Sequence, residues 1–364
     1  MADPPAEARS SAVTDASRAA VAPLPYTDDQ LAALLGDGWP DRLRAAHRWM
    51  VFARALDSRM LGLQRQGRIG FYGPATGQEA VSVAAGLAAT PDDWIIPGLR
   101  EQLIALIRGH DLTRYADHLF ANDRDPARGR QMPCHPTARE VRYVSMSSVI
   151  GTQISHAVGL AYGLKLRRDG GVALAFFGDG ATSSNDFHAG LNFAGVYQLP
   201  VLFCCTNNQW AISVPVERQS RVEHLAAKAA AYGLPGSTVD GTDVVACLVA
   251  IQGGLDRVRK GSGPEFLEFV VYRMTPHSSS DDPKRYQPAD WVERANAHDP
   301  LARLEHLLLS HGALQAGDPE RIRNEVDLTV RAAIDAAEPV GPPVPESLTS
   351  DVFAAPGPGA RGGA

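Results

Sequence analysis

Gly178-Asp179-Gly180 and Asn207-Asn208 set a carboxylate and amide oxygens at the ends of two apolar runs, with 26 residues between Gly180 and Asn207. That interval leaves room for one crossover helix between two parallel strands. In an open α/β sheet the ligand crevice lies beyond the carboxyl ends of the strands, which is where both clusters would fall. Mg²⁺ asks for oxygen donors in near-octahedral geometry, one or two from side chains and the rest from phosphate and water. Asp179 and Asn208 meet that demand. The glycines allow close backbone approach, and a helix N-terminus expected just after Gly180 offers N–H groups to an anion. A diphosphate bridged to the protein by Mg²⁺ is the economical ligand. Gly-Asp-Gly alone is an ordinary turn; it is the combination with two buried strands, a crossover and the Asn pair that points to a metal and a diphosphate.

The elements that must position these residues follow from periodicity. Val172 to Phe177 and Val201 to Cys205 are uninterrupted apolar runs, as expected for parallel strands covered on both faces. A helical pattern from about Asp186 to Tyr197 joins them. Upstream, helices are predicted over Asp41 to Gln66, Gln78 to Ala89, Glu101 to Ile107 and Gly151 to Arg168. Ala121 to Glu140 mixes Asp, Arg, Pro and Gly without a period and reads as a long loop. Downstream come a helix (Val222 to Ala231), a short strand (Ser237 to Val239), a helix (Asp243 to Lys260) and a strand (Phe266 to Tyr272). Leu301, Leu304, Leu307 and Leu308 share a helix face, and a last helix spans about Pro319 to Ala337. The alternation predicts an α/β fold, a doubly wound parallel sheet with flanking N- and C-terminal helices. Residues 25–339 form its domain, residues 1–24 a disordered arm, and residues 340–364, rich in Pro, Gly and Ala, a flexible tail.

Composition narrows the function classes. The chain has 364 residues, 45% of them hydrophobic and 21% charged, which is ordinary for a globular protein with a sizeable core. A formal net charge of -6 gives no basic surplus, so nucleic acid and an anionic membrane surface are not expected as partners. No run is long and apolar enough to span a bilayer. Cys134, Cys204, Cys205 and Cys247 include no CxxC pair and read as reduced, mostly buried thiols. The first 24 residues lack an apolar signal core and carry acidic residues that a mitochondrial transit peptide avoids; a cytoplasmic protein is expected.

The segment from Gly178 to Asn208 resembles the thiamine-diphosphate signature shared by transketolases, decarboxylases and 2-oxoacid dehydrogenases. Further motifs match the alpha subunit of the dehydrogenases in order: Arg65-Gln-Gly-Arg68, Gly77-Gln-Glu79, Gly129-Arg-Gln-Met-Pro133, Ser147-Ser148, Gly151-Thr-Gln-Ile154, His188-Ala-Gly190, Ala211-Ile-Ser213 and His277-Ser-Ser-Ser-Asp-Asp282. Within that family the chain looks most like the branched-chain type.

The resemblance implies that Asp179 and Asn208 hold Mg²⁺ with the backbone carbonyl of Trp210, and that Gly178, Gly180 and Ala181 line the diphosphate. Arg100 matches an arginine of the diphosphate site, where a guanidinium fork suits phosphate oxygens. Ser148 and Ile150 match residues at the aminopyrimidine and thiazolium rings, and Ser147, Thr152 and Gln153 match a potassium site. His277 matches the histidine that touches the diphosphate and serves acyl transfer to a lipoyl arm; by residue type alone it would pass for a solvated loop histidine. Arg273, Asp281 and Tyr286 match residues that order its loop. Tyr72 and Gln78 are candidates for the substrate side. Leu99 stands where the family commonly has an aromatic residue, and Trp210 where it commonly has a tyrosine.

By this resemblance the activity is oxidative decarboxylation of branched-chain 2-oxoacids with reductive acylation of a lipoyl group. The family's second half-site, with its carboxylic acid, comes from a beta subunit, and this sequence has one cofactor-binding sheet. The implied assembly is an α2β2 heterotetramer docked on the dihydrolipoyl acyltransferase core. Two other readings are a pyruvate or acetoin dehydrogenase alpha subunit and an inactive regulatory or scaffolding paralogue; the intact Asp179, Asn208 and His277 speak against the latter.

Overall fold

The computed structural model describes residues 21–350. At its centre is a parallel sheet of five strands in the order β1-β2-β3-β7-β6. These are β1 (Trp94–Ile96), β2 (Ala173–Gly178), β3 (Val201–Asn207), β6 (Gly236–Asp240) and β7 (Glu265–Val270); β4 (Trp210–Ala211) and β5 (Val214–Pro215) form a separate antiparallel pair. Residue 173 pairs with 201 and residue 178 with 206, so β2 and β3 end side by side. The expected α/β architecture with a parallel sheet is what the chain adopts.

The helices are α1 (Asp28–Leu35), α2 (Trp39–Arg65), α3 (Glu79–Ala88), α4 (Gln102–Ile107), α5 (Leu112–Phe120), α6 (Thr152–Arg167), α7 (Asn185–Tyr197), α8 (Val244–Arg259), α9 (Trp291–Ala297), α10 (Pro300–Ser310) and α11 (Asp318–Ala337). Successive strand side chains point to opposite faces, and this divides the core in two. Leu174, Phe176, Leu202, Cys204, Leu267 and Phe269 pack with α2, α3, α8, α10 and α11. Ala175, Phe177, Val201, Phe203, Cys205 and Phe266 pack with α6 and α7. Adjacent Cys204 and Cys205 thereby face opposite layers, and all four cysteines are free and buried.

Local chemistry starts the helices where the site needs them. Ser184 caps α7 by accepting from Phe187 N, and Asp243 caps α8 by accepting from Val245 N and Ala246 N. Gly151, just before α6, has φ +90°, and a Cβ there would meet Ser184 Oγ at 2.3 Å, so only glycine lets α6 and α7 begin this close together.

The sequence expectation differs from the structure in several places. Residues 222–231 were expected as an α-helix; the chain forms a 3₁₀ helix, Leu225–Tyr232, whose Ala226 N donates to Glu268 on β7. β1, α1 and α5 are not among the elements expected from the sequence, although α1 opens with a capping box at Thr27 and Gln30 and α5 is apolar on one face; α9 falls in the stretch from Asp290 that the sequence marks as polar and helical. Of the expected arm, residues 1–20 lie outside the described residues, but Leu24 is buried and Ala22 N donates to Ala297 O. Of the expected tail, residues 340–350 pack on the long loop: Asp123 N donates to Gly341 O, and Arg130 bonds Ser347 O; residues 351–364 lie outside the described residues. No helix among the described residues is long and apolar enough to cross a membrane.

Candidate functional site

A cavity of about 460 Å³ opens beyond the carboxyl ends of β2 and β3. Gln78, Arg100, Ser147, Ser148, Ile150, Gln153, Gly178, Asp179, Gly180, Ala181, Asn208, Trp210 and His277 all line it. Segments far apart in sequence therefore converge on one cavity. Thr152 and Tyr72 do not line it. Thr152 is the first residue of α6, and Tyr72 is fully buried with its hydroxyl donating to Asp57 Oδ1 at 2.8 Å. Phe71, the neighbour of Tyr72, faces the cavity instead.

Asp179 follows the last residue of β2 and is 2% exposed. Burial pushes its carboxyl up to about 6, opposed by a hydrogen bond from Gln219 and by the nearby Arg273. Gln219 Nε2 donates to Asp179 Oδ2 at 2.7 Å. Asn208, just after β3, has its amide in use on both sides: Nδ2 donates to Gln78 Oε1 at 3.2 Å and Oδ1 accepts from Trp210 N at 3.2 Å. Trp210 O accepts from Arg273 at 3.4 Å. Asn207 is turned away from the cavity and locks the bend, donating to Glu268 and accepting from Gln209 N. Among the described residues no group of three His, Cys, Asp or Glu side chains could hold a metal, so a cation here would depend on one carboxylate with amide and carbonyl oxygens.

The helix N-terminus expected just after Gly180 is not there. A 3₁₀ turn, Asp179–Ser183, intervenes, and α7 starts at Asn185 with Phe187 N answered by the Ser184 side chain. Thr182 Oγ1 donates to Asp179 O at 2.8 Å and Ser184 N to Ala181 O at 3.0 Å, which tightens this turn and moves the α-helix away from the cavity wall. Gly178 is exposed to the cavity, the nearest atom to a Cβ placed there being Thr206 O at 4.0 Å. Gly180 is crowded: its Cβ would lie 2.8 Å from Ala211 Cβ on β4.

Arg100 supplies positive charge from the opposite wall. It is 6% exposed, and its guanidinium donates to Pro74 O and to His277 O (2.8 Å), with His277 Nδ1 at 3.4 Å. Burial, then the nearby Arg273, lowers it to about 10, still cationic at neutral pH. Among the described residues no carboxylate forms an ion pair with Arg100 or Arg273. A buried guanidinium lining the cavity without a paired carboxylate is suited to an anion; Arg273 lies behind the lining, with its donors on Trp210 O, Ile212 O and Tyr286 OH.

His277 is pushed down to about 4, first by burial and then by Arg100 and Arg273, so its imidazole is neutral at physiological pH. Since Arg100 can only donate, Nδ1 is the acceptor and the ring proton sits on Nε2. The loop around it is held by a chain of bonds: Arg273 donates to Tyr286 OH (2.6 Å), Tyr286 OH to Asp281 Oδ2 (2.6 Å), and His277 N to Asp281 Oδ2 (2.7 Å).

Ser148 is on the open side, its hydroxyl 2.7 Å from His135 Nε2. Ser147 Oγ accepts from Val149 N, and Gln153 is buried with Oε1 lacking a partner. Ile150 and Ile212 line the cavity yet are 64% and 54% exposed, leaving an apolar rim. Sequence reasoning missed Gln219, His135, Glu101, Met146 and Ile212. Ile212 lies within Ala211-Ile-Ser213, whereas none of the quoted motifs contains Gln219, His135, Glu101 or Met146, whose place at the site is set by the fold.

The chain matches the family model described as dehydrogenase E1 component over residues 47–346. It is 38% identical over 310 residues to a 2-oxoisovalerate dehydrogenase subunit alpha of Bacillus subtilis, covering 85% of this chain and 94% of that one. It is 38% identical over 308 residues to the mitochondrial 2-oxoisovalerate dehydrogenase subunit alpha 2 of Arabidopsis thaliana; the match takes in 84% of this chain but 65% of that longer protein, just under two thirds. A 3-methyl-2-oxobutanoate dehydrogenase subunit alpha of Mycobacterium tuberculosis is 40% identical over 276 residues, 75% of this chain and 72% of the relative. Other similar proteins carry pyruvate dehydrogenase in their names. With the motifs in order, the cavity they build and a match through most of its length, the chain belongs to the dehydrogenase E1 component family.

Proposed function

We propose that this chain is the alpha subunit of a 3-methyl-2-oxobutanoate dehydrogenase, which with a beta partner oxidatively decarboxylates branched-chain 2-oxoacids and passes the acyl group to a lipoyl arm. The observation that carries this reading is the meeting in one cavity of Asp179, Asn208, Arg100 and His277, in a chain whose relatives are named for that substrate class.

The residues fit thiamine diphosphate with Mg²⁺. Asp179 and Asn208 would hold the metal with Trp210 O, while Gly178, Gly180 and Ala181 leave backbone exposed to phosphate oxygens and Arg100 offers charge. Ser148 and Ile150 would flank the aminopyrimidine and thiazolium rings. Bound there, thiamine diphosphate supplies an electron sink for the 2-oxo carbon as carbon dioxide leaves. His277, neutral and with Nδ1 facing Arg100, would sit beside the diphosphate and would have its Nε2 proton to give to a sulfur of the lipoyl group. Gln78, which contacts Asn208, orients the metal ligand on the substrate side; Tyr72 supports that wall from the core. A K⁺ ion could use Ser147, Thr152 and Gln153, and the buried, partner-free Gln153 Oε1 supports this.

The apolar rim at Ile150 and Ile212 supports a cleft completed by a beta subunit in an α2β2 heterotetramer, served by the lipoyl domain and core of a dihydrolipoyl acyltransferase. Four buried free cysteines support a cytoplasmic setting. The runner-up is a pyruvate or acetoin dehydrogenase alpha subunit, which the names of several relatives favour. The test is the ratio of specificity constants of the complex, with its cognate beta subunit, for 3-methyl-2-oxobutanoate, 4-methyl-2-oxopentanoate and pyruvate. One methylene in an apolar pocket is worth only ~1–3 kcal/mol, so a preference of ~10- to 200-fold for the branched acids is expected. A preference for pyruvate overturns the branched-chain reading.

A further inference from the structure

Between Gln66 and Glu79 the chain has neither helix nor strand, yet this stretch builds one wall of the cavity. Something else must fix its path. Asp57, on the inward face of α2, is 4% exposed, and its carboxylate accepts three hydrogen bonds from the stretch: from Tyr72 OH at 2.8 Å, Ala75 N at 2.8 Å and Thr76 Oγ1 at 2.6 Å. Three donors on one buried carboxylate suit its ionised, acceptor-only form. One turn earlier on α2, Arg54 pairs with Glu79, which accepts from Gly77 N. A single 27-residue helix therefore clamps the middle and the C-terminal end of the segment.

The clamped segment hands its position to the site in two places. Pro74 O, between the two Asp57-bonded residues Tyr72 and Ala75, accepts from Arg100 Nη1, and Gln78 Oε1 accepts from Asn208 Nδ2. Among the described residues the Arg100 guanidinium rests only on Pro74 O and the His277 backbone and ring, so a shift of Pro74 re-aims the fork. We propose that Asp57 is a positioning residue for the anion subsite: by holding Tyr72, Ala75 and Thr76 it sets the Pro74 carbonyl that seats Arg100. This rests on the reading above that Arg100 binds the diphosphate.

The test uses the complete complex with its beta subunit and measures thiamine diphosphate affinity in the presence of Mg²⁺ by calorimetry. The variants are Arg100→Gln, Asp57→Asn, the milder pair Tyr72→Phe with Thr76→Val, which removes two of the three donors, and each of the last two combined with Arg100→Gln. A charge-assisted hydrogen bond is worth enough for a loss of about 10- to 100-fold in Arg100→Gln. Asp57→Asn and the milder pair should each weaken binding by about 5-fold or more, and neither should add more than about 2-fold in the Arg100→Gln background, because they act through the same guanidinium. A purely structural carboxylate would instead lower stability and leave the two losses multiplicative. If Arg100→Gln binds like wild type, the diphosphate reading of Arg100 fails. If Arg100→Gln is weak while Asp57→Asn and the milder pair bind normally, or their effects multiply with it, the positioning role is overturned and the site reading stands. Should Asp57→Asn not assemble, the milder pair decides by the same cycle.

Discussion

His277 shows how neighbours set the chemistry of one side chain. In water an imidazole titrates near 6.5; here burial and two guanidinium groups bring it to about 4. The unfolded chain takes up a proton as pH falls below about 6.5, and the folded chain does so only near 4, so this group's contribution to stability is present above that window and is lost as pH falls through it. A diphosphate bound beside Arg100 brings negative charge that favours the protonated ring. Imidazole NMR signals of His277 should therefore titrate near 4 without cofactor and move upward with thiamine diphosphate and Mg²⁺. A titration near 6.5 in both states would return His277 to a solvated loop. Asp179 shifts the other way, up to about 6, because burial penalises its negative charge. The proposed divalent cation would offset that penalty.

At the scale of elements, two glycines of one turn are held for different reasons. Gly178 ends β2 facing open cavity, with 4.0 Å to the nearest atom from a Cβ, whereas Gly180 is packed against β4, with 2.8 Å to Ala211 Cβ. Overpacking of this kind costs ~1–3 kcal/mol. Gly180→Ala is thus expected to lower the melting temperature and weaken thiamine diphosphate binding together, since the β4 segment carrying Trp210 must move. Gly178→Ala should keep the melting temperature and lose affinity by about 10-fold, because the methyl group takes cofactor space. Calorimetry with thermal denaturation of both variants separates the cases; a stable, tightly binding Gly180→Ala would refute the packing argument. These two strand ends were legible in the sequence because a strand buried on both faces writes an unbroken apolar run. The 3₁₀ turn through Gly180 was not, since its hydrogen bonds depend on where Thr182 and Ser184 end up.

For the whole molecule, the cavity has one wall from the N-terminal segment, one from the sheet ends and one from the His277 loop, and an apolar rim at Ile150 and Ile212. Large exposed apolar side chains at the mouth of a cleft suit a protein partner. The purified chain free of its beta subunit should therefore show no decarboxylation of any 2-oxoacid, and mixing with the beta subunit should restore it. An artificial electron acceptor assay on both samples checks this, and turnover by a beta-free preparation would defeat the two-chain reading.

The sequence alone carried the parallel sheet, the crossover from Gly178 to Asn208 and the family motifs, because each is written in local pattern: apolar runs, glycines at strand ends, and short polar strings at fixed intervals. It also pointed to Arg100 and His277, though only through resemblance, since a lone arginine and a loop histidine have no pattern of their own. Only the tertiary structure decided that these two touch, that Tyr72 belongs to the core while Phe71 faces the cavity, and that Asp57 holds the wall between them. It also bound residues 340–350, compositionally a loose tail, onto the long loop. The physical reason is the range of the interaction. Periodicity reports which face of an element is buried, but contacts between residues as far apart as Arg100 and His277 depend on the path of loops, and loops are fixed by hydrogen bonds that no local pattern records.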